Sequence, residues 1–345
     1  MRSPGIQFRC ILAVTLLLLA AGSLFAAGAA DSSGDGGSIT LYSGRGESLV
    51  APLIDQFESE TGIQVRVRYG GTAELAVLLL EEGDRSPADL FWGQDAGALG
   101  AVAKAGLLQQ LPADLFAQLP ELYQSGRGEW IATSGRARVL AYAPDLVGDV
   151  PFPASVFDLT DEQYRGLVGW APTNGSFQSF VTAMRVAYGD ARTQAWVEGM
   201  IANDAQVYRN NTAIVEALGA GEVAMGITNN YYLLRFLADD PSFPVSQRFF
   251  ADGDIGNLVN VASAGVLRTA SNPEGAIEFI RFLLDTTAQE YFTEVVYEYP
   301  VIATVQPAGV LESFDRVIEV APVIDLDDLE DLEGTLNLLR RAGAL

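Results

Sequence analysis

Apolar and polar positions alternate along Ser38-Ile39-Thr40-Leu41-Tyr42-Ser43 and stop at Gly44, a strand that ends in a glycine turn. Leu49, Leu53, Ile54 and Phe57 then recur at helical spacing, with Pro52 in an early turn and Gly62 at the helix end. Ile63, Val65 and Val67 return to strand alternation. A helix from Thr72 through Leu75, Leu78, Leu79 and Leu80 closes at Gly83. Ala88–Trp92 reads as a third strand and Leu99–Leu108 as a third helix. Strand and helix in turn, with short links, predict a parallel sheet covered by helices.

The rhythm restarts at Arg138–Tyr142. Helices follow over 177–188 and 193–201, and Asn211 stands where it would cap another through Ile214, Val215 and Leu218. Glu222–Ile227 reads as a buried strand, with Asn229 or Asn230 capping the helix after it. Asn272-Pro273-Glu274 is a helix start, with Asn at the cap and Pro in the first turn. Two α/β lobes follow from this pattern, with a ligand crevice at the carboxyl ends of the strands.

The N-terminus reads as an export leader. Arg2 and Arg9 precede the apolar run Ile11–Ala21, and Ala27-Gly28-Ala29 is a small-residue cleavage pattern. This sets residues 1–29 as a cleaved signal peptide and 30–37 as a polar tether, and places the mature protein in the periplasm. No later apolar run is long enough to span a bilayer. The chain's single cysteine, Cys10, lies inside the leader, so the mature chain is expected to hold no disulfide and no thiolate metal site.

Lys and Arg number 21 against 44 Asp and Glu, and this acidic balance argues against nucleic acid as a partner. Histidine is absent, which removes Ser-His-Asp and Cys-His catalysis and imidazole-based zinc sites. Lys104 is the only lysine. The chain is therefore expected to bind a ligand and not to be an enzyme.

The sharpest local chemistry is Asn229-Asn230-Tyr231-Tyr232, where a buried strand gives way to a helix. A phenol ordinarily ionises near pH 10, but a bound, highly charged cation can hold it as phenolate. Phenolate is a hard oxygen donor suited to Fe(III). On the dipeptide alone, two aromatics packing at a helix start are the better explanation of the pair.

In order along the chain, Leu41-Tyr42-Ser43-Gly44-Arg45-Gly46-Glu47, Arg85-Ser86-Pro87-Ala88-Asp89-Leu90-Phe91, Ser134-Gly135-Arg136-Ala137-Arg138-Val139, Ala171-Pro172-Thr173-Asn174-Gly175-Ser176-Phe177, Asn229-Asn230-Tyr231-Tyr232 and Tyr297-Glu298-Tyr299-Pro300 carry a resemblance. Together they make the chain similar to the periplasmic ferric-binding proteins of ABC iron importers. The resemblance implies a type II-like periplasmic-binding-protein fold: two α/β lobes, each a mostly parallel sheet flanked by helices, with the ligand in the interlobe cleft. It implies a first lobe of 38–134 plus 266–345 and a second of 135–265.

It further implies a monomer that captures Fe(III) and delivers it to an inner-membrane ABC permease. Tyr231 and Tyr232 would be the iron ligands of the second lobe. The first lobe departs from the family pattern. The loop at Ser43–Glu47 holds no histidine, and Gln94 stands at the expected carboxylate position. Gln94, Asp95 and Glu47 are the remaining candidates there. A site this short of ligands implies a co-bound anion such as carbonate, phosphate or citrate, held by Asn174, Gly175, Ser176, Asn211 and Asn229 and paired with Arg45. The competing reading keeps the scaffold and changes the cargo to a polyamine, thiamine or an organic anion.

Overall fold

The computed structural model of the protein describes residues 37–120, 123 and 125–345. The expected leader, Cys10 and nearly all of the tether lie outside the described residues.

The first half alternates as its periodicity predicts. β1 (Ser38–Ser43) leads to α1 (Glu47–Thr61), β2 (Gln64–Tyr69), α2 (Thr72–Glu82), β3 (Leu90–Gly93) and α3 (Ala96–Lys104). Gly62 ends α1 in the left-handed conformation, at φ 72°. The third helix starts three residues earlier than its apolar spacing suggests, because the Asp95 carboxylate accepts the Ala98 N–H at 2.9 Å and caps it. A short helix, α4 (Ala113–Phe116), precedes the long strand β4 (Ile131–Tyr142).

The second half holds α5 (Pro144–Val147), β5 (Val168–Trp170), α6 (Gly175–Ala202), β6 (Gln206–Val207), α7 (Asn211–Gly219), β7 (Met225–Asn229), α8 (Asn230–Asp239) and β8 (Ser246–Arg248). The two helices expected over 177–188 and 193–201 meet within α6 at Gly189, whose φ of 79° and ψ of 160° break the helix there. The cap of α7 is Asn210, whose side chain accepts the Ala213 N–H at 2.9 Å. Asn211 is instead the first helical residue, and its amide points into the protein. The strand expected over 222–227 starts at Met225.

β9 (Val259–Val266) then crosses back between the halves, followed by α9 (Pro273–Leu283), α10 (Thr286–Glu294), α11 (Phe314–Val320) and α12 (Leu332–Ala342). Asn272 caps α9 as expected, accepting the Gly275 N–H at 3.0 Å.

The strands run in the order β2-β1-β3-β9-β4-β7-β5-β6, with β8 also on β4. β1 pairs in parallel with β2 and β3, and β5 in parallel with β6 and β7. The two parallel groups meet through antiparallel strands. β9 pairs with β3 and with residues 131–137 of β4, and residues 138–142 of β4 pair with β7. One strand is thus shared by both lobes.

The chain end touches both, and its contact with the first is the turn Leu326–Glu330 lying on α3. Val320 O accepts from Gly253 N–H at 3.0 Å and from the Asn257 amide at 3.1 Å, which ties α11 to the second half. α12 packs on α6, where the Thr182 and Thr335 hydroxyls lie 2.7 Å apart.

Candidate functional site

β7 ends at Asn229 and α8 begins at Asn230, so Tyr231 and Tyr232 fall in the first helical turn. Both side chains are buried, and their rings stack with centroids 4.2 Å apart. The two asparagines fix this junction. Asn230 accepts the Ala137 N–H at 3.0 Å and donates to Tyr297 O at 3.4 Å. Asn229 makes no capping bond with its side chain; its amide donates to the Ser176 hydroxyl at 3.3 Å.

The Tyr231 hydroxyl is buried and has no hydrogen-bond partner. Burial first, then Tyr232 and Glu298, hold this phenol well above its ordinary pKa, while Arg136 and Arg45 pull it down. A buried hydroxyl left unpaired carries a desolvation penalty of about 1–3 kcal/mol. The fold therefore holds an unpaired phenol at a place where positive charge also stands beside it.

That positive charge comes from three buried guanidiniums. Arg45 donates to both Glu298 oxygens, at 2.9 and 2.7 Å, and Ser134 donates to the same carboxylate. Arg45, expected to pair with an anion, is therefore engaged by Glu298. Arg138 donates to Ser176 O at 3.2 Å and to Ile227 O at 3.4 Å, and it stacks on Phe180. Burial, and then Arg136 beside it, lower its pKa to about 9, so it stays charged at neutral pH. Arg136 differs from both, because its two terminal nitrogens are buried without partners. Arg136 and Arg138 alternate along β4, which puts them on one face of the strand. That spacing is visible in Ser134–Val139 and is the signal that sequence reasoning passed over.

Asp95 lies 4% exposed at the other side of this group. Burial pushes its carboxyl up to about 6, against the Ala98 N–H and the charge of Arg136. A methyl on Gly175 would lie 3.6 Å from Asp95 Oδ2, so the α3 and α6 starts meet here. At the α6 start Asn174 accepts from the Ser176 N–H at 3.0 Å and from its hydroxyl at 2.7 Å. Asn211 donates to the same hydroxyl at 3.4 Å.

The structure thus brings together Tyr231, Tyr232, Asp95, Arg45, Asn174, Gly175, Ser176, Asn211 and Asn229. Gln94 is half-buried at the edge, with its N–H on the Thr72 hydroxyl at 3.1 Å. Glu47 is exposed in the first turn of α1, outside the buried group. Among the described residues no cluster of three or more His, Cys, Asp or Glu could hold a metal, so a cation here depends on phenols and on oxygens from elsewhere.

Comparison with known proteins agrees with this architecture. A family profile described as bacterial extracellular solute-binding protein matches residues 85–318. A Fe(3+)-binding periplasmic protein of Serratia marcescens is 32% identical over 287 residues, 82% of this chain and 84% of that one. The iron-bound HitA structure from Pseudomonas aeruginosa superposes with a TM-score of 0.84 at 32% identity, over 89% of this chain and 99% of that one. A Trichodesmium protein solved with iron and citrate ligands gives a TM-score of 0.72 at 29% identity, over 89% and 99%.

Proposed function

The chain belongs to the bacterial extracellular solute-binding protein family, and on that premise we propose that it captures Fe(III) in the periplasm and passes it to an ABC permease. The observation that carries this reading is the buried, unpartnered Tyr231 hydroxyl stacked against Tyr232. Fe(III) displaces the proton of each phenol and gains two hard anionic donors. Arg136 and Arg45 favour the charged form of Tyr231 before any metal arrives.

The rest of the coordination sphere comes from an oxyanion such as carbonate, phosphate or citrate. Arg136 replaces Arg45 as its guanidinium partner, because Glu298 already occupies Arg45 and both terminal nitrogens of Arg136 are free. Asn211 and Asn229 turn their amides from Ser176 to the anion. Asp95 supplies a carboxylate from the first lobe. The names of the Serratia relative and of the iron-bound Pseudomonas structure support the cargo, and the iron and citrate of the Trichodesmium protein support the anion. A polyamine fits poorly, since its cations would meet three buried guanidiniums.

The lobes divide within β4. The first takes 38–134 and the chain after β9 through α10, the second takes 135–265, and the end of the chain lies across both. The protein acts as a monomeric binder, and cargo that touches both lobes stabilises the closed form.

A visible absorption titration of the leader-free protein with ferric citrate in bicarbonate buffer tests the proposal. A charge-transfer band saturating at one iron per chain is the expected result. No band in any buffer anion would refute ferric ligation by phenolate and leave an organic anion as cargo.

A further inference from the structure

The 3-10 turn Leu326–Glu330 and the residue after it are held from two sides. The Glu330 carboxylate takes Lys104, at the end of α3, at 2.7 Å and Arg127 at 2.8 Å. Asp331 takes Arg185 of α6 at 2.8 Å, and its backbone carbonyl accepts from the same guanidinium at 3.1 Å. Two adjacent residues thus point their carboxylates at helices of different lobes.

Packing reinforces both grips. A methyl on Gly97 would lie 2.5 Å from Leu329 O, and one on Gly100 would lie 3.1 Å from Glu330 Cβ. Glycine at both positions of α3 is what lets the turn lie directly on the helix. Leu329 is fully buried. On the other side Arg185 donates to the Thr335 hydroxyl at 3.0 Å, and its own side chain is only 12% exposed.

We propose that this turn is a latch across the cleft, gripping α3 with Glu330 and α6 with Asp331, and that the lobes part by releasing one grip. The argument rests on the two-lobed fold and is independent of what the cleft binds. The Glu330 grip is the weaker of the two. Lys104 and Arg127 are about half exposed, and ion pairs of that kind contribute little and weaken in salt. A latch must be of this kind, firm enough to bias the closed form and weak enough to release. Because the grips act in series, loss of either frees the lobes, and loss of both adds little more.

Spin labels on Glu60→Cys of α1 and Glu222→Cys of the second lobe report the interlobe distance by pulsed dipolar spectroscopy, with no metal present. Both positions are exposed, and the single native cysteine, Cys10, is in the expected leader. Glu330→Gln and Arg185→Gln should each shift population from the short to a longer distance. The double variant should shift it no further than the larger single effect, and molar salt should do the same to the parent. Gly97→Ala, which displaces the turn and leaves Glu330, Asp331 and their cations in the sequence, should match them while circular dichroism stays native. An unchanged distance distribution in all variants would overturn the latch, and so would fully additive shifts, which describe two independent surface contacts. Failure of the iron titration would leave this result standing.

Discussion

Tyr231 is built at odds with stability. Its ring is well packed, but its hydroxyl is buried with nothing to bond. Tyr231→Phe should therefore raise the stability of the iron-free protein by about 1 kcal/mol and remove most of the ferric affinity. Urea unfolding and the visible titration read the two effects separately. Lower stability together with retained iron binding would sink the assignment. Asp95 makes a second case, with a definite sign. Its folded pKa of about 6 lies above the ordinary 3.8, so the native state holds the proton more tightly. The contribution of this group to stability is then largest at low pH and falls as pH rises through 6. At pH 7.5 the ionised carboxylate should cost the iron-free protein roughly 3 kcal/mol. Asp95→Asn keeps the oxygen that caps α3 and should recover most of that, with the advantage vanishing by pH 4. An advantage that did not change between pH 4 and 7.5 would contradict the buried-carboxylate account. The position of the tyrosine pair at the start of α8 was legible because the helix-start pattern is local. The partner of Arg45 was not, because Glu298 lies 253 residues away and only folding brings them together.

At the level of elements, amphipathic periodicity located α1 and α2, and the Asn272-Pro273 start signal located α9; the buried residues of all three repeat at helical spacing. It did not locate β9. Val-Asn-Val-Ala-Ser-Ala-Gly-Val is buried at every position, so it lacks the polar alternation of a half-exposed strand. Its small residues answer to neighbours rather than to propensity. A methyl on Gly265 would stand 3.1 Å from Glu129 O and 2.8 Å from a Leu108 methyl. The bend in α6 was partly legible, as a break between two helical runs. Its cause is Gly189, whose backbone lies in a region that is essentially glycine-only. Nothing lies within 4 Å of a methyl placed there, so the cost of Gly189→Ala is pure backbone strain. Chemical unfolding should show a loss of about 1–3 kcal/mol with iron affinity unchanged.

For the whole molecule, the pattern of strands and helices anticipated two α/β lobes, and the solved relatives share that architecture. What it could not anticipate was the route of the last segment, since the helices of 314–342 are amphipathic whichever lobe they cover. Cargo that binds only the folded, closed chain must raise its resistance to heat. At a hundredfold excess over its dissociation constant, ferric citrate should add about 2.7 kcal/mol. Scanning calorimetry should show an upward shift in the parent protein and none in the Tyr231→Phe, Tyr232→Phe double variant. An equal shift in both would place the iron elsewhere.

The pairing of β3 with β9 has a consequence for the order of events in the life of the chain. Leu90 sits beside Val266, so the sheet of the first lobe stays unfinished until Val266, 176 residues later, has been synthesised. Pairings over such separations form slowly, and a nascent chain that cannot yet close its sheet remains threadable. A polypeptide addressed for export gains from that delay. The strand that completes the first sheet thus sets the earliest point in synthesis at which that sheet can close.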